Sequence, residues 1–241
     1  MANHLHSNGP PVRNRLLAGL PATAFERLRP HLEHVTLKAH DQLMRPHAPA
    51  EHIYFPESGM VSMVVSLSDG AMIEAALIGN EGMVSVLPAL GASLPTTEAM
   101  VQIPGTALRA HTDVLRREVA ENADLHMAMV RFLQAGLIQV TQSVACVGHH
   151  TLRQRLARWL LMAHDAGKSD EIILSHEFLA MMLGVRRPGV TIAIGELKDA
   201  GLIMTGHGRI VIRDRKGIEK SACECYATVK AEYERLLGPH E

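Results

Sequence analysis

Beyond Thr112 the chain meets no proline until Pro188, and across that interval its apolar residues recur at helical spacing. Val130, Leu133, Leu137, Val140, Val144 and Val147 follow one another at steps of 3, 4, 3, 4 and 3. That is a narrow a/d seam lasting two and a half heptads, the pattern through which two parallel helices share one coiled-coil contact. A second copy of the chain is the partner such a seam implies. The other arrangement is a single amphipathic helix packed on its own domain. Either way the seam divides the chain into a part before it and a part after it.

Before the seam the periodicity is different. Residues 15–32 carry Leu16, Leu17, Leu20, Phe25, Leu28 and Leu32 at helical spacing, interrupted at Pro21. From Val35 to Leu108 the pattern becomes short strands separated by turn residues. Met60 to Leu67 and Met72 to Ile78 flank Ser68-Asp69-Gly70, an Asp-Gly hairpin signal. Gly79-Asn80-Glu81-Gly82 follows, and Ala99 to Ile103 runs up to Pro104-Gly105. Several short strands with regular turns predict a small barrel or jelly roll.

After the seam, Gly148 offers a hinge, and Leu152, Leu156, Trp159 and Leu160 mark one face of a further helix. Ser175 is a good N-cap, with Glu177 in the first turn at the positive end of the helix dipole. Leu179, Met182 and Leu183 face inward until Gly184, which can take the left-handed conformation that ends a helix. Pro188 then stands where a new helix can begin, because the first turn has no bond for its missing N–H. Val190, Ile194 and Leu197 continue that helix to Gly201. Helix, glycine turn and second helix make a helix-turn-helix. Residues 202–205 and 209–212, joined by Gly206-His207-Gly208, read as the hairpin of a wing.

Charge is divided in the same way. Residues 146–220 hold twelve Lys and Arg against eight Asp and Glu, a net of +4, while the remainder nets −5. Between Arg45 and Arg109 there is no lysine or arginine at all. A basic module beside an acidic one points to a polyanion, most often nucleic acid, as partner of the basic part. No stretch of about 18 uncharged apolar residues exists, so a spanning helix is not expected. Met1 to Val12 lacks an apolar core and reads as a frayed tail rather than a secretory signal. Three cysteines without a paired framework suit a reducing cytoplasm.

These pieces together resemble the Crp–Fnr superfamily of bacterial transcription regulators. The likeness rests on Ile53-Tyr54-Phe55-Pro56-Glu57-Ser58-Gly59, Asp69-Gly70 and Ile78-Gly79-Asn80-Glu81-Gly82-Met83. It continues through Arg155-Leu156-Ala157-Arg158-Trp159-Leu160-Leu161, then Leu183-Gly184-Val185-Arg186-Arg187 and Leu197-Lys198-Asp199-Ala200-Gly201-Leu202-Ile203, in order over more than 200 residues. The resemblance implies an α+β chain: a cyclic-nucleotide-binding-like jelly roll over residues 14–112, a dimerisation helix over 113–147, a winged-helix DNA-binding domain over 148–220 and a C-terminal helix over 221–237. It implies a homodimer on a pseudo-palindromic operator in double-stranded DNA, with RNA polymerase as a further partner and no catalysis. Arg187 matches the family arginine that reads guanine, and its fork suits O6 and N7. Arg186 and Thr191 are phosphate candidates, Ser175 offers a hydroxyl and free backbone N–H groups to a phosphate, and His207 and Arg209 belong to the wing. Pro188 stands where many relatives carry a glutamate that accepts from cytosine.

The effector is less legible. Gly79, Glu81, Gly82, Thr96, Thr97 and Thr141 are the pocket candidates. Relatives that bind cyclic AMP use an arginine in a phosphate cassette, whereas Leu94-Pro95-Thr96-Thr97-Glu98 offers an acid and no cation. Cyclic AMP is therefore not the expected effector, and the cofactor is unknown. No cysteine precedes Cys146, which excludes an N-terminal iron–sulfur cluster. Cys146 reads as a core or interface filler. Cys223 and Cys225, placed on a C-terminal helix, should point to different faces and not chelate together. His149-His150, and His47 with His52, read as solvated or capping groups, with haem ligation the alternative. A jelly roll also serves cupin-like metalloenzymes, but their His-x-His occurs here only as His4-Leu5-His6 in the tail, so no metal ligand is assigned. A regulator that binds no effector is the other alternative.

Overall fold

A computed structural model describes residues 12–91, 94–206 and 208–238. His4, His6 and His207 lie outside them. The chain opens with α1 (Arg15–Ala18) and α2 (Ala22–Leu28), separated at Pro21, and a 3-10 turn at Arg29–His31. Asn14 anchors this entry. Its buried amide donates to the carbonyls of Pro56 and Gly82, both at 2.8 Å, while its oxygen accepts from Leu17 N at 3.1 Å.

Seven strands follow: β1 (Glu33–Leu37), β2 (Gln42–Met44), β3 (His52–Pro56), β4 (Met60–Ser66), β5 (Met72–Ile78), β6 (Glu98–Ile103) and β7 (Gly105–His111), with the one-turn helix α3 (Val86–Ala89) between β5 and β6. They pair antiparallel in two sheets, β1-β7-β3 and β2-β6-β4-β5. β4 and β5 form the hairpin expected around Asp69-Gly70, with a register shift at Met63/Val64. Ile53, Phe55, Val61, Val101 and Leu108 from both sheets are buried in one core.

The stretch expected to be a single helix over 113–147 is two. α4 (Thr112–Glu121) ends at Asn122, whose side chain accepts from the backbone N–H groups of Asp124 and Leu125 and so starts α5 (Ala123–His149). A side-chain oxygen that caps a new helix outcompetes continuation of the old one. α5 buries Leu125, Met129, Phe132, Ala135, Gln139 and Cys146 against its own chain. The seam lies on its other side, with Val130 38%, Leu137 65%, Val144 70% and Val147 57% exposed.

α6 (Leu152–Gly167) begins with a capping box between Thr151 and Gln154. The strand β8 (Glu171–Ile173), which sequence reading missed, then pairs with the wing to give the sheet β8-β10-β9. α7 (His176–Met182), α8 (Arg187–Asp199), β9 (Ile203–Gly206) and β10 (Arg209–Ile212) follow, then α9 (Arg215–Ser221) and α10 (Cys225–Leu237). A second core holds Leu156, Trp159, Leu160, Leu179, Val190, Ile194, Leu197 and Ile210, and reaches Met60 and Leu77 of the barrel. α10 turns back to the first core through Val229 and Tyr233. No single helix among the described residues is long and apolar enough to cross a membrane.

Placing Cys223 and Cys225 on different faces of one helix is incorrect. Cys223 precedes α10 instead of lying in it, so it and Cys225 are not bound to helical divergence. Both are buried together with Cys146 of α5.

The two cores meet at Glu74 of β5. Its carboxylate accepts from Ser62 Oγ and, at 3.0 Å, from Trp159 Nε1 of α6. Enclosure of the carboxyl pushes it up to about 8, against the opposing pull of those two bonds and of Arg158. The native state thus keeps a proton that the unfolded chain releases above about 4.5, and stability declines as pH rises from there toward 8. Glu74→Gln removes that dependence. Denaturant titrations at pH 5, 6.5 and 8 are expected to show the variant gaining on the natural chain by up to about 1.4 kcal/mol per pH unit. A difference that stays constant with pH would sink this assignment.

Candidate nucleic-acid interface

The basic module presents two helices and a wing on one side of its core. α7 starts at Ser175, whose Oγ accepts from Phe178 N at 3.1 Å. The hydroxyl proton and the unbonded N–H groups of the first turn remain free to donate. α7 ends at Leu183, and Gly184 takes φ +61°, a left-handed conformation that a side chain would strain. The backbone therefore reverses within four residues, and α7 and α8 lie at 106° to each other. That angle falls in the range of helix-turn-helix pairs. Arg155 of α6 donates to the Leu183 carbonyl and holds the turn against the core, a role that gave no signal in the sequence. Gly189 has a reason as well: a Cβ there would stand 3.1 Å from Leu152 Cδ2, so its absence lets α8 close on α6.

Arg186 is the N-cap of α8 and Arg187 its first residue, and both are exposed. Arg187 Nη1 lies 4.0 Å from Glu177 Oε2, with the two side chains 66% and 77% exposed. A pair that exposed contributes little and can be exchanged for a base edge or phosphate. Thr191, one turn on, is exposed, but its hydroxyl bonds to Arg187 O at 3.2 Å and to His176 Nδ1 at 3.1 Å. His176 is a neighbour that sequence reading did not single out. Arg209, at the start of β10, is paired with Glu171 of β8 at 3.1 Å. It must leave that partner to meet a phosphate. Ser175, Arg186, Arg187 and Thr191 are thus brought to the two helix N-termini, and Arg209 lies on the wing sheet opposite Ile173, two residues before Ser175.

The effector candidates are not brought together in this way. Gly79 N donates to Glu81 Oε1 at 2.7 Å, and both residues line a cleft with Arg15, Gln139, Asp165, Tyr226, Lys230 and Glu234. Sequence distance misled here: the cation-free run has cations beside it in space, from α1 and α10. They are balanced by Glu81, Asp165 and Glu234, so the cleft remains a poor host for an anion. Thr96 is exposed and Thr97 half-buried in the loop before β6, and neither lines that cleft. Thr141 is exposed and bonds back to the carbonyls of Leu137 and Ile138. Gly82 serves packing, because a Cβ at that position would fall 2.2 Å from the Phe132 ring of α5.

Residues 154–221 match the Crp-like helix-turn-helix domain family. Among curated relatives, the Global nitrogen regulator of Nostoc sp. is 25% identical over 186 residues, which is 73% of this chain and 83% of that protein. The Transcriptional regulator SdrP of Thermus thermophilus is 31% identical over 121 residues, 47% of this chain and 60% of that one. FixK2 from Bradyrhizobium japonicum has a similar fold, with a TM-score of 0.67 at 17% identity over 80% of this chain and 98% of that chain.

Gly82→Ala is expected to force Phe132 off the barrel and cost about 1–3 kcal/mol of stability, measured by chemical denaturation. An unchanged midpoint would mean that α5 is not seated on this turn.

Proposed function

Because this chain belongs to the Crp–Fnr superfamily of transcription regulators, we propose that it acts as a homodimer that reads a pseudo-palindromic DNA site through the first turn of α8. The observation that carries the proposal is the exposed pair Arg186–Arg187, presented at a helix N-terminus by a glycine turn. Arg187 addresses a guanine in each half-site through O6 and N7. Arg186, Ser175 and Thr191 take backbone phosphates, as does Arg209 once released from Glu171. Pro188, in place of an acceptor, leaves the neighbouring base pair less strictly specified.

The dimer is supported by the apolar stripe of α5. Exposed aliphatic side chains at a and d spacing on a 27-residue helix are the surface that a second copy covers. Two-fold symmetry then sets the half-sites one helical turn apart, about 10 base pairs centre to centre. The effector is not cyclic AMP, since carboxylates outnumber cations in the cleft beside Gly79. RNA polymerase is the further partner on promoters where the bound dimer acts.

Two measurements test this reading. Charged residues at Leu137 and Val144 should give monomers by sedimentation and weaken DNA binding sharply; a dimer of unchanged mass would defeat the seam. In site selection from a random DNA pool, Arg187→Ala should flatten preference at one guanine and cost about 1–3 kcal/mol per half-site. Arg209→Ala should weaken all sequences alike and lower the salt dependence by about one counterion per site. If Arg187→Ala keeps the same sequence preference and loses only affinity, Arg187 is a phosphate contact.

A further inference from the structure

We propose that Cys146, His150, Cys223 and Cys225 form a closed four-coordinate site for a thiophilic divalent ion, zinc(II) by its chemistry. One ligand atom from each lies within 4.8 Å of the other three. Cys146 Sγ is 3.5 Å from Cys223 Sγ, and Cys225 Sγ is 3.5 Å from His150 Nδ1. Around a tetrahedral zinc with bonds of about 2.3 Å to sulfur and 2.0–2.1 Å to nitrogen, those separations should be about 3.8 and 3.6 Å. Both separations fall slightly short of those tetrahedral edges, and no pair of the four donors exceeds 4.8 Å, which is too close to span a polynuclear cluster. Three thiolates with one imidazole are a structural zinc set, whereas harder ions prefer oxygen.

The surroundings point the same way. His150 Nε2 lies 3.2 Å from a Glu224 carboxylate oxygen. With the proton held on Nε2 by that acceptor, Nδ1 turns its lone pair toward the cysteines, as in carboxylate–histidine–zinc arrangements. Gln142 Nε2 donates to Cys225 Sγ at 3.2 Å, a bond that suits a metal-bound thiolate. Binding releases the three thiol protons to solvent and leaves the site with one net negative charge. Arg158 is 8% exposed and lines the same cavity as Cys146 and Arg155, and its Nε is buried with no hydrogen-bond partner among the described residues. A buried cation with an unused donor is the complement that such a site requires.

The position gives the ion a task. Cys146 and His150 close the C-terminal end of α5, three residues from the seam position Val147 at most, and α6 begins two residues beyond His150. Cys223 and Cys225 belong to the junction of α9 and α10. One ion therefore fastens the end of the seam helix to the C-terminal helix and fixes the bend at His150–Thr151 between α5 and α6, whereas Gly148, expected as the hinge, lies within α5. The site is separate from the α8 face, so its failure would leave the DNA-reading proposal standing.

Native mass spectrometry of the full-length protein should show one zinc per chain. Glu224→Gln, at an exposed position that spares the fold, should weaken zinc affinity about 10- to 100-fold, read by competition with a chromogenic chelator. Cys225→Ser and His150→Ala should lose the ion. If those variants do not fold, cobalt(II) added to chelator-treated natural protein decides the matter. The expected result is the visible bands of tetrahedral cobalt together with thiolate charge transfer, saturating at one equivalent. Absence of those bands, a Cys146–Cys223 disulfide as the stable form of the purified chain, or an iron–sulfur chromophore would each overturn the proposal.

Discussion

The burial of one face of α5 is the constraint on which the remainder depends. Leu125, Met129, Phe132 and Ala135 are drawn into the barrel core, and every methylene hidden there contributes about 0.8 kcal/mol. A helix has only one face to spend in this way. Once that face is fixed against the barrel, the residues half a turn away, from Val130 to Val147, point outward whatever their polarity. Their aliphatic character is costly in water and becomes favourable against a second copy. The barrel's grip on α5 would thus decide where a second copy could sit, and at Gly82 that grip leaves no room for a Cβ beside the Phe132 ring.

The same helix ends where the basic module begins. Trp159 on α6 reaches Glu74 in the barrel, and Arg155 reaches the turn after α7. The helix-turn-helix is therefore joined to the barrel through α6, a few hydrogen bonds and the packing of Gly184 beside Ile73 of β5. A carboxyl group pushed toward neutrality by enclosure, with two donors directed at it, is a sensitive element in that contact. The exposed charges of α8 and the wing are held differently. Arg187 is loosely paired on the surface, which keeps it soluble and available, whereas Arg209 has a closer partner to give up.

Local chemistry was legible in the sequence wherever one residue type has few alternatives. Gly184, Gly201, Ser175 and Asp69-Gly70 each mark a backbone conformation or cap that other residues meet poorly, and each stands at the end or turn it marked. The seam spacing was legible because helical periodicity decides which residues share a face. What escaped reading depends on distant segments. β8 is three residues long and is a strand only because β10 pairs with it. Asn122 looks like an ordinary helix residue until its side chain caps α5. The cleft near Gly79 receives Arg15 and Lys230 from opposite ends of the chain, and the cysteines converge across 77 positions of sequence. Spacing along a chain says nothing about such meetings.

Under the proposed function, two copies present two α8 helices to one duplex in two-fold symmetry. Hydroxyl-radical footprinting of the full-length protein on its best selected site measures that arrangement directly. Two protected patches related by a dyad, on one face of the duplex and about one helical turn apart, are the result the account predicts. A single unsymmetrical patch, or uniform protection with no phase, would contradict it.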